Sequence, residues 1–415
     1  MNTIKRIARF NSRLWSKLIL SFTILLLGYS TRNSFAVFCY FLERDFGWSR
    51  AQMAIMFSIS VLLYGFTAPL AGRVTDQFGA KRVVSLGSFL MGLSFIFCGM
   101  ANALVHFYVL YAIVAIGLSL VGWTPVSTYI SHIFQERRCF AFGVLNAGFG
   151  ASLLVASPTE ALISTVGWRV TYVIMGVICV ILAVPARALL LEKGKDENAG
   201  KFMNLDSPPE TPTLGWSLRS PNFWILFAAA FLTLGFSEQI ILSHLICCLI
   251  EAGFLPAEAA KTYSVLGATF IIGSLFSFVG DAVRKKLLLT ALTLTSALGV
   301  TLLLLGASKK SFASVFVVTF GFGMGMTGPV IFAMAADLFH GPRFGSIQGT
   351  IFVGFSLGGT LGPWLAGYVH DLESSYDLVL TLVMLALFTS SVLSLLLFDR
   401  SARNYSSRFA VARRH

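Results

Sequence analysis

Charge is what this sequence has least of: Asp, Glu, Lys and Arg make up only 12% of 415 residues. Ordinary soluble domains carry about 25%. That shortfall excludes a chain wholly surrounded by water. Acidic residues are the scarcer sign, 19 against 31 basic ones. Cysteine is sparse too. Cys39, Cys98, Cys139, Cys179, Cys247 and Cys248 all lie within or at the ends of apolar runs, without the spacing of a zinc site or a soluble domain to staple. They read as small core residues rather than disulfides. No nucleotide-binding loop, metal-ligand cluster or catalytic triad is visible, and the loops are too short to hold a catalytic domain. An enzyme, an ATP-driven pump and any metal or other cofactor are therefore not expected.

What is present is apolar: 56% hydrophobic residues, 38 of them Phe, with mean hydropathy +0.78. Runs of about 18 or more apolar residues, the length that crosses a ~30 Å hydrocarbon layer as a helix, recur throughout. The first-half runs are Leu18 to Phe41, Met53 to Ala71, Val83 to Met100, Val105 to Ile130, Phe140 to Val166 and Val170 to Leu191. A polar stretch with charges and prolines follows, up to Ser220. The second-half runs are Asn222 to Ile250, Tyr263 to Gly280, Leu287 to Ala307, Phe312 to Ala336, Phe344 to Val369 and Leu378 to Phe398. The expectation is an all-α polytopic membrane protein of twelve spans. It divides into a six-helix bundle over 1–191, a linker over 192–221, a second six-helix bundle over 222–399 and a tail over 400–415. The first run is too long for a signal peptide and lacks a clear cleavage site, so it is read as a retained helix.

Basic residues are retained on the cytoplasmic side of a membrane, which makes their placement a topological signal. With both termini inside, 24 of the 31 Lys and Arg fall in cytoplasmic segments and six in outside loops, leaving Arg32 within the membrane. The net charge of +12 thus needs no nucleic acid or other polyanionic partner. It predicts a multi-pass protein of the inner or plasma membrane with both ends cytoplasmic.

The halves repeat each other. GRVTDQFGAKR follows the second run and SFVGDAVRKK follows the eighth, with Asp281 placed 205 residues after Asp76. The first of these resembles the loop signature of the major facilitator superfamily: Gly72, Asp76, Gly79, Lys81 and Arg82 match its glycines, acid and basic pair. That resemblance implies two pseudo-symmetric bundles that alternate access to a central site. Gly72 would let helices approach, Asp76 would accept from an opposing helix N-terminus, and Gly79 would make the turn, together forming a conformational latch. The second copy is degraded, with Ser277 and Arg284 at its glycine positions, which predicts a weaker latch there. Within the superfamily the chain resembles the monocarboxylate transporters and their oxalate/formate antiporter relatives. The stretches FGWSRAQ, IFQERRCFAFGVLNAGFGAS, GWRVTY and ADLFHGPRFGSIQGTIFVGFSLGGTLGPWLAGYVHD carry the likeness.

An ionisable residue within a membrane span is costly and by default marks a substrate or ion path. Three qualify: Arg32 in span 1, Glu160 in span 5 and Glu238 in span 7. Arg32 and Glu238 lie near mid-depth at 206 residues' separation, almost equivalent places in the two halves. In the family that the chain resembles, helices 1 and 7 face one another across the cavity, which implies that Arg32 and Glu238 approach there, as a transport site or as a structural ion pair. The family resemblance places a lysine for substrate and proton in helix 1 at or beside Arg32, and an arginine in helix 8, where this chain has no charge. Arginine holds its proton. Proton coupling would therefore fall to Glu238, Glu160 or His244. Trp123, Asn146, Gln239 and Tyr263 are polar or amphipathic candidates for the cavity lining, although such residues more often serve plain helix packing.

The leading expectation is a monomeric secondary active transporter for a small, monocarboxylate-like organic anion, working by proton symport or anion exchange. The alternative is an importer or exporter of a cationic, zwitterionic or amphipathic solute held by Glu238 and Glu160. Arg32 separates the two.

Overall fold

A computed structural model describes residues 12–78, 80–123, 138–189, 214–306, 310–339 and 344–397. All regular structure among them is helical. Span 1 is α1 (Ser12–Asn33) with α2 (Phe35–Phe46); spans 2, 3 and 4 are α3 (Arg50–Phe78), α4 (Ala80–Cys98) and α5 (Leu104–Val121). Span 5 is α6 (Arg138–Leu153) with α7 (Ala156–Val166), and span 6 is α8 (Trp168–Leu189). A short α9 (Leu214–Ser217) precedes span 7, which comprises α10 (Pro221–Ala229), a π-helical stretch Ala230–Ser237 and α11 (Glu238–Glu251). Spans 8 to 12 are α12 (Pro256–Phe276), extended by a 3₁₀ turn to Asp281, α13 (Lys285–Gly306), α14 (Lys310–Leu338), α15 (Phe344–Glu373) and α16 (Asp377–Leu395). Eight of these are long and apolar enough to cross a membrane, and Arg82–Cys98 and Trp168–Ile181 are shorter apolar segments. The fold is the twelve-helix, two-bundle membrane architecture that the hydropathy predicts.

Helices outrun the apolar windows read from sequence. Span 2 runs from Arg50 rather than Met53 and reaches Phe78 rather than Ala71. Span 1 continues to Phe46. A helix keeps its backbone bonds when it leaves the hydrocarbon, whereas hydropathy registers only the apolar part. The polar stretch read as linker also contains α9, and Pro221 rather than Asn222 opens span 7.

The halves meet along two helix pairs. α3 of span 2 packs against α15 of span 11, and α6 of span 5 packs against α12 of span 8. These pairs exchange under the six-span repeat. Close approach at the second pair depends on Gly143, where an added Cβ would collide with the Ser274 carbonyl oxygen.

Both ends of this seam are closed by an aspartate of the second half on a helix N-terminus of the first. At the end carrying the termini, Asp281 Oδ1 and Oδ2 accept from the Cys139 and Phe140 amides, each at 3.2 Å. At the far end, Asp371 Oδ2 accepts from the Ala51 amide at 3.0 Å and Oδ1 from the Arg50 amide at 3.3 Å. Each carboxylate satisfies helix-end N–H groups that have no intrahelical acceptor and meets the positive end of the helix dipole. The degraded repeat copy thus forms a two-pronged contact. Of the intact copy, Arg82 is exposed near the start of α4, Gly72 and Asp76 belong to the helical backbone of α3, and Gly79 and the side chains of Asp76 and Lys81 lie outside the described residues.

Candidate functional site

Spans 1 and 7 both lose α-helical regularity beside their charges. Span 1 breaks at Ser34, two residues after Arg32, where the Thr31 and Ser34 hydroxyls donate to the carbonyls of Gly28 and Thr31, each at 2.8 Å. Such hydroxyl back-bonding bends helices. Span 7 is wound as a π-helix immediately before Glu238. There Ser237 Oγ donates to the Leu232 carbonyl at 2.7 Å and Gln239 Nε2 to the Leu234 carbonyl at 3.2 Å, each reaching back five residues. Irregular backbone at membrane depth is tolerated where it is buried in protein, and transporters place binding groups at such breaks.

Arg32 is wholly buried, and none of Nε, Nη1 and Nη2 has a hydrogen-bond partner among the described residues. Its surroundings are aromatic. The guanidinium carbon lies 5.0 Å from the Tyr29 ring centroid, 5.7 Å from Phe57, 5.8 Å from Tyr64 and 6.0 Å from Phe149. Ring faces attract the cation without supplying its N–H groups with a hydrogen-bond acceptor. Tyr29 and Tyr64 hold one another through their hydroxyls at 2.9 Å, and Tyr64 OH accepts from the Trp123 amide at 3.0 Å, which fixes the cage.

Glu238, from the opposite half, is 5% exposed and feels the charge of Arg32 across the seam. Its Oε2 is nevertheless without a partner, and the expected direct contact between the two is not made. The guanidinium lies instead among the four rings. A permanent structural ion pair is therefore absent from this state among the described residues. Tyr263 also lies within electrostatic reach of Arg32, its hydroxyl donating to the Leu242 carbonyl at 2.9 Å. Gln239 Oε1 and Trp123 Nε1, like Arg32 and Glu238 Oε2, are buried and without a hydrogen-bond partner among the described residues.

Three candidates lie elsewhere. Glu160 accepts from the Ser164 hydroxyl at 2.8 Å, one turn along its own helix. Asn146 ties the halves together, donating to Ser274 Oγ at 3.2 Å and the Gly325 carbonyl at 2.9 Å. His244 sits between the Pro363 carbonyl, 2.9 Å from Nε2, and Tyr376 OH, 3.2 Å from Nδ1. A carbonyl only accepts, so the network assigns the proton to Nε2.

Sequence reasoning missed the cluster at the far end. Arg50 Nη1 donates to Tyr376 OH at 2.9 Å and pairs with Glu251 Oε1 at 2.5 Å, while Arg50 Nε meets Glu43 at 3.2 Å. His370 Nε2 lies 2.8 Å from the same Glu251 oxygen. Two signals are present in the sequence, Arg50 inside FGWSRAQ and His370–Asp371 closing GYVHD, but span-end charges look like ordinary loop charges until the helices are assembled.

Known proteins resemble the chain along most of its length. The family model described as Major Facilitator Superfamily matches residues 20–327 and 265–410. Monocarboxylate transporter 13 of Rattus norvegicus is 26% identical over 370 residues, covering 87% of this chain and 83% of the relative. Monocarboxylate transporter 11 of Homo sapiens is 27% identical over 371 residues, covering 86% and 77%. The uncharacterized MFS-type transporter YcxA of Bacillus subtilis is 24% identical over 404 residues, covering 92% and 95%. A twelve-span, two-bundle fold, a central buried charge and these similarities lead to one assignment: the chain belongs to the major facilitator superfamily, as a multi-pass membrane transporter of a small molecule and not an enzyme, and within that superfamily it is similar to monocarboxylate transporters.

Proposed function

We propose that the protein moves a small organic anion, monocarboxylate-like, by alternating access, with both termini cytoplasmic in the inner or plasma membrane and with a monomer as the working unit. The observation that carries this is Arg32: a fully buried guanidinium with three nitrogens unpartnered among the described residues. A buried unpaired charge costs several kcal/mol, and a carboxylate meeting the guanidinium fork bidentately relieves that cost. Glu238 stands beside it as the proton carrier. Protonated, it adds no negative charge to a site that receives an anion; ionised, it partners Arg32 electrostatically when the carrier is empty. Exchange of one anion for another requires only the Arg32 step, whereas symport requires both.

The cationic-solute alternative is disfavoured on the same ground. A cation at Glu238 would enter the field of Arg32, and Glu160 is engaged with Ser164 rather than converging on the site. Reconstituted protein should accumulate a labelled monocarboxylate in proteoliposomes under an imposed pH gradient. Arg32→Gln should abolish that uptake with folded protein still in the membrane, and Glu238→Gln should remove gradient-driven accumulation while permitting counterflow exchange. Unaltered uptake by Arg32→Gln rules the anion reading out.

A further inference from the structure

The surroundings of Arg32 carry information about the body of the solute as well as its charge. Resting on the anion reading above, we infer that the substrate is an aryl or heteroaryl monocarboxylate, whose flat ring enters a layer of aromatic side chains at the seam while its carboxylate takes Arg32.

The layer begins in the Arg32 cage and crosses from one half to the other. Tyr29 and Phe149 pack edge to face with centroids 4.8 Å apart at 84°, on one side of the guanidinium. On another side Tyr64 of span 2 meets Phe352 of span 11 edge to face, 5.4 Å apart at 81°. Phe352 continues to Phe332 of span 10 at 6.2 Å, and Phe332 to Trp123 of span 4 at 5.7 Å. The chain of rings thus leaves the first half at Tyr64 and re-enters it at Trp123. Parting the halves at this layer separates Tyr64 from Phe352 and Trp123 from Phe332, two ring pairs that bridge the seam. A flat aromatic body between the halves restores ring pairing on both sides, whereas a saturated body of equal size offers burial without that pairing. The path ends at a polar handle: Trp123 Nε1–H is buried and lacks an acceptor among the described residues. It suits a ring nitrogen, hydroxyl or carbonyl borne by the far side of the aryl group.

The cage leaves the anion site available because no acceptor among the described residues takes a guanidinium N–H, the four rings lying 5.0 to 6.0 Å from the guanidinium carbon. Charge recognition by those N–H groups and ring recognition by the aromatic layer are separable by experiment. Purified wild-type protein is titrated with benzoate, 4-hydroxybenzoate, cyclohexanecarboxylate, propionate and benzylamine, following the thermal midpoint and a direct binding isotherm. Benzoate should bind about ten-fold more tightly than cyclohexanecarboxylate, the equivalent of about 1.4 kcal/mol. 4-Hydroxybenzoate should bind at least as tightly as benzoate. Phe352→Leu, which keeps apolar bulk and removes a ring, should bring the benzoate to cyclohexanecarboxylate ratio toward one, and Arg32→Gln should abolish binding of every carboxylate. Should Phe352→Leu fail to fold, the wild-type ratio decides alone. Equal binding of cyclohexanecarboxylate and benzoate, lost in Arg32→Gln, overturns the aromatic body and leaves the anion reading standing. Stabilisation by benzylamine and by no carboxylate, or response to no carboxylate at all, overturns both.

Discussion

Arg50 and Glu251 close one end of the seam from opposite halves, Nη1 to Oε1 at 2.5 Å, with the Arg50 side chain 11% exposed and that of Glu251 35%. Glu43, His370 and Tyr376 bond to the same pair, so one arginine holds spans 1, 2, 7 and 11 together with the N-terminal edge of span 12.

Removing one charged member of such a partly buried cluster costs about 1–2 kcal/mol, or roughly ten-fold in the balance between far-end-closed and far-end-open forms. A native reporter lies below it. Cys39 of span 1 and Cys247 of span 7 are near neighbours across the seam, 2% and 1% exposed. In a chain retaining only these two cysteines, Arg50→Gln should raise labelling by a membrane-impermeant maleimide about ten-fold. An unchanged rate would show that the cluster does not control this end.

The two aspartate caps predict opposite shifts. Asparagine presents a single acceptor oxygen and no charge, forfeiting about 1 kcal/mol of helix-terminus attraction. Asp281→Asn should bias the protein toward opening at the end bearing the termini, and Asp371→Asn toward opening at the far end. Distances between spin labels on the two halves at each end would check this. Two substitutions moving the equilibrium the same way would contradict the assignment of one cap to each gate.

Arg32 gains no hydrogen bond from the described residues in return for its burial, so replacing it together with the Glu238 charge should not destabilise the apo fold. The double variant Arg32→Met/Glu238→Gln is expected to leave the thermal midpoint of the ligand-free protein unchanged or raise it, in the way that replacing buried charge pairs by neutral groups does elsewhere. A drop of several degrees would mean that the cage of Tyr29, Phe57, Tyr64 and Phe149 needs the cation to hold its shape.

Two glycines separate packing from flexibility. Gly143→Ala drives a methyl group against the Ser274 carbonyl and should cost about 1–3 kcal/mol by overpacking. Gly349, in α15, has nothing within 4 Å of where its Cβ would stand, so Gly349→Ala should be neutral or stabilising by roughly 0.5–1 kcal/mol. Denaturation of the two variants in detergent compares them directly.

Much of this architecture is legible in the sequence because bilayer physics is one-dimensional. Twelve apolar runs and a basic-residue bias need no knowledge of which helices touch. The same holds for Arg32 and Glu238, conspicuous as charges where charge is expensive. Legibility ends where function depends on pairs. That Arg32 faces rings instead of Glu238 follows from the stacking of spans 1, 2 and 5, and the π-helical winding before Glu238 leaves no mark in the run AFLTLGFS. Asp281 is a further case of a contact that the motif alone does not reveal. Its motif copy looks degraded, yet the acid alone forms the contact, because its partners are backbone amides that any neighbouring sequence supplies.

That asymmetry has a genetic consequence. Both caps use aspartates of the second half and backbone N–H groups of the first, at 50, 51, 139 and 140. A side-chain scan of Ala51, Cys139 and Phe140 will pass over both contacts in silence, since every residue but proline carries the N–H. Mutational tolerance across the first half therefore says little about its part in gating, and the selective burden of keeping both latches rests on Asp281 and Asp371.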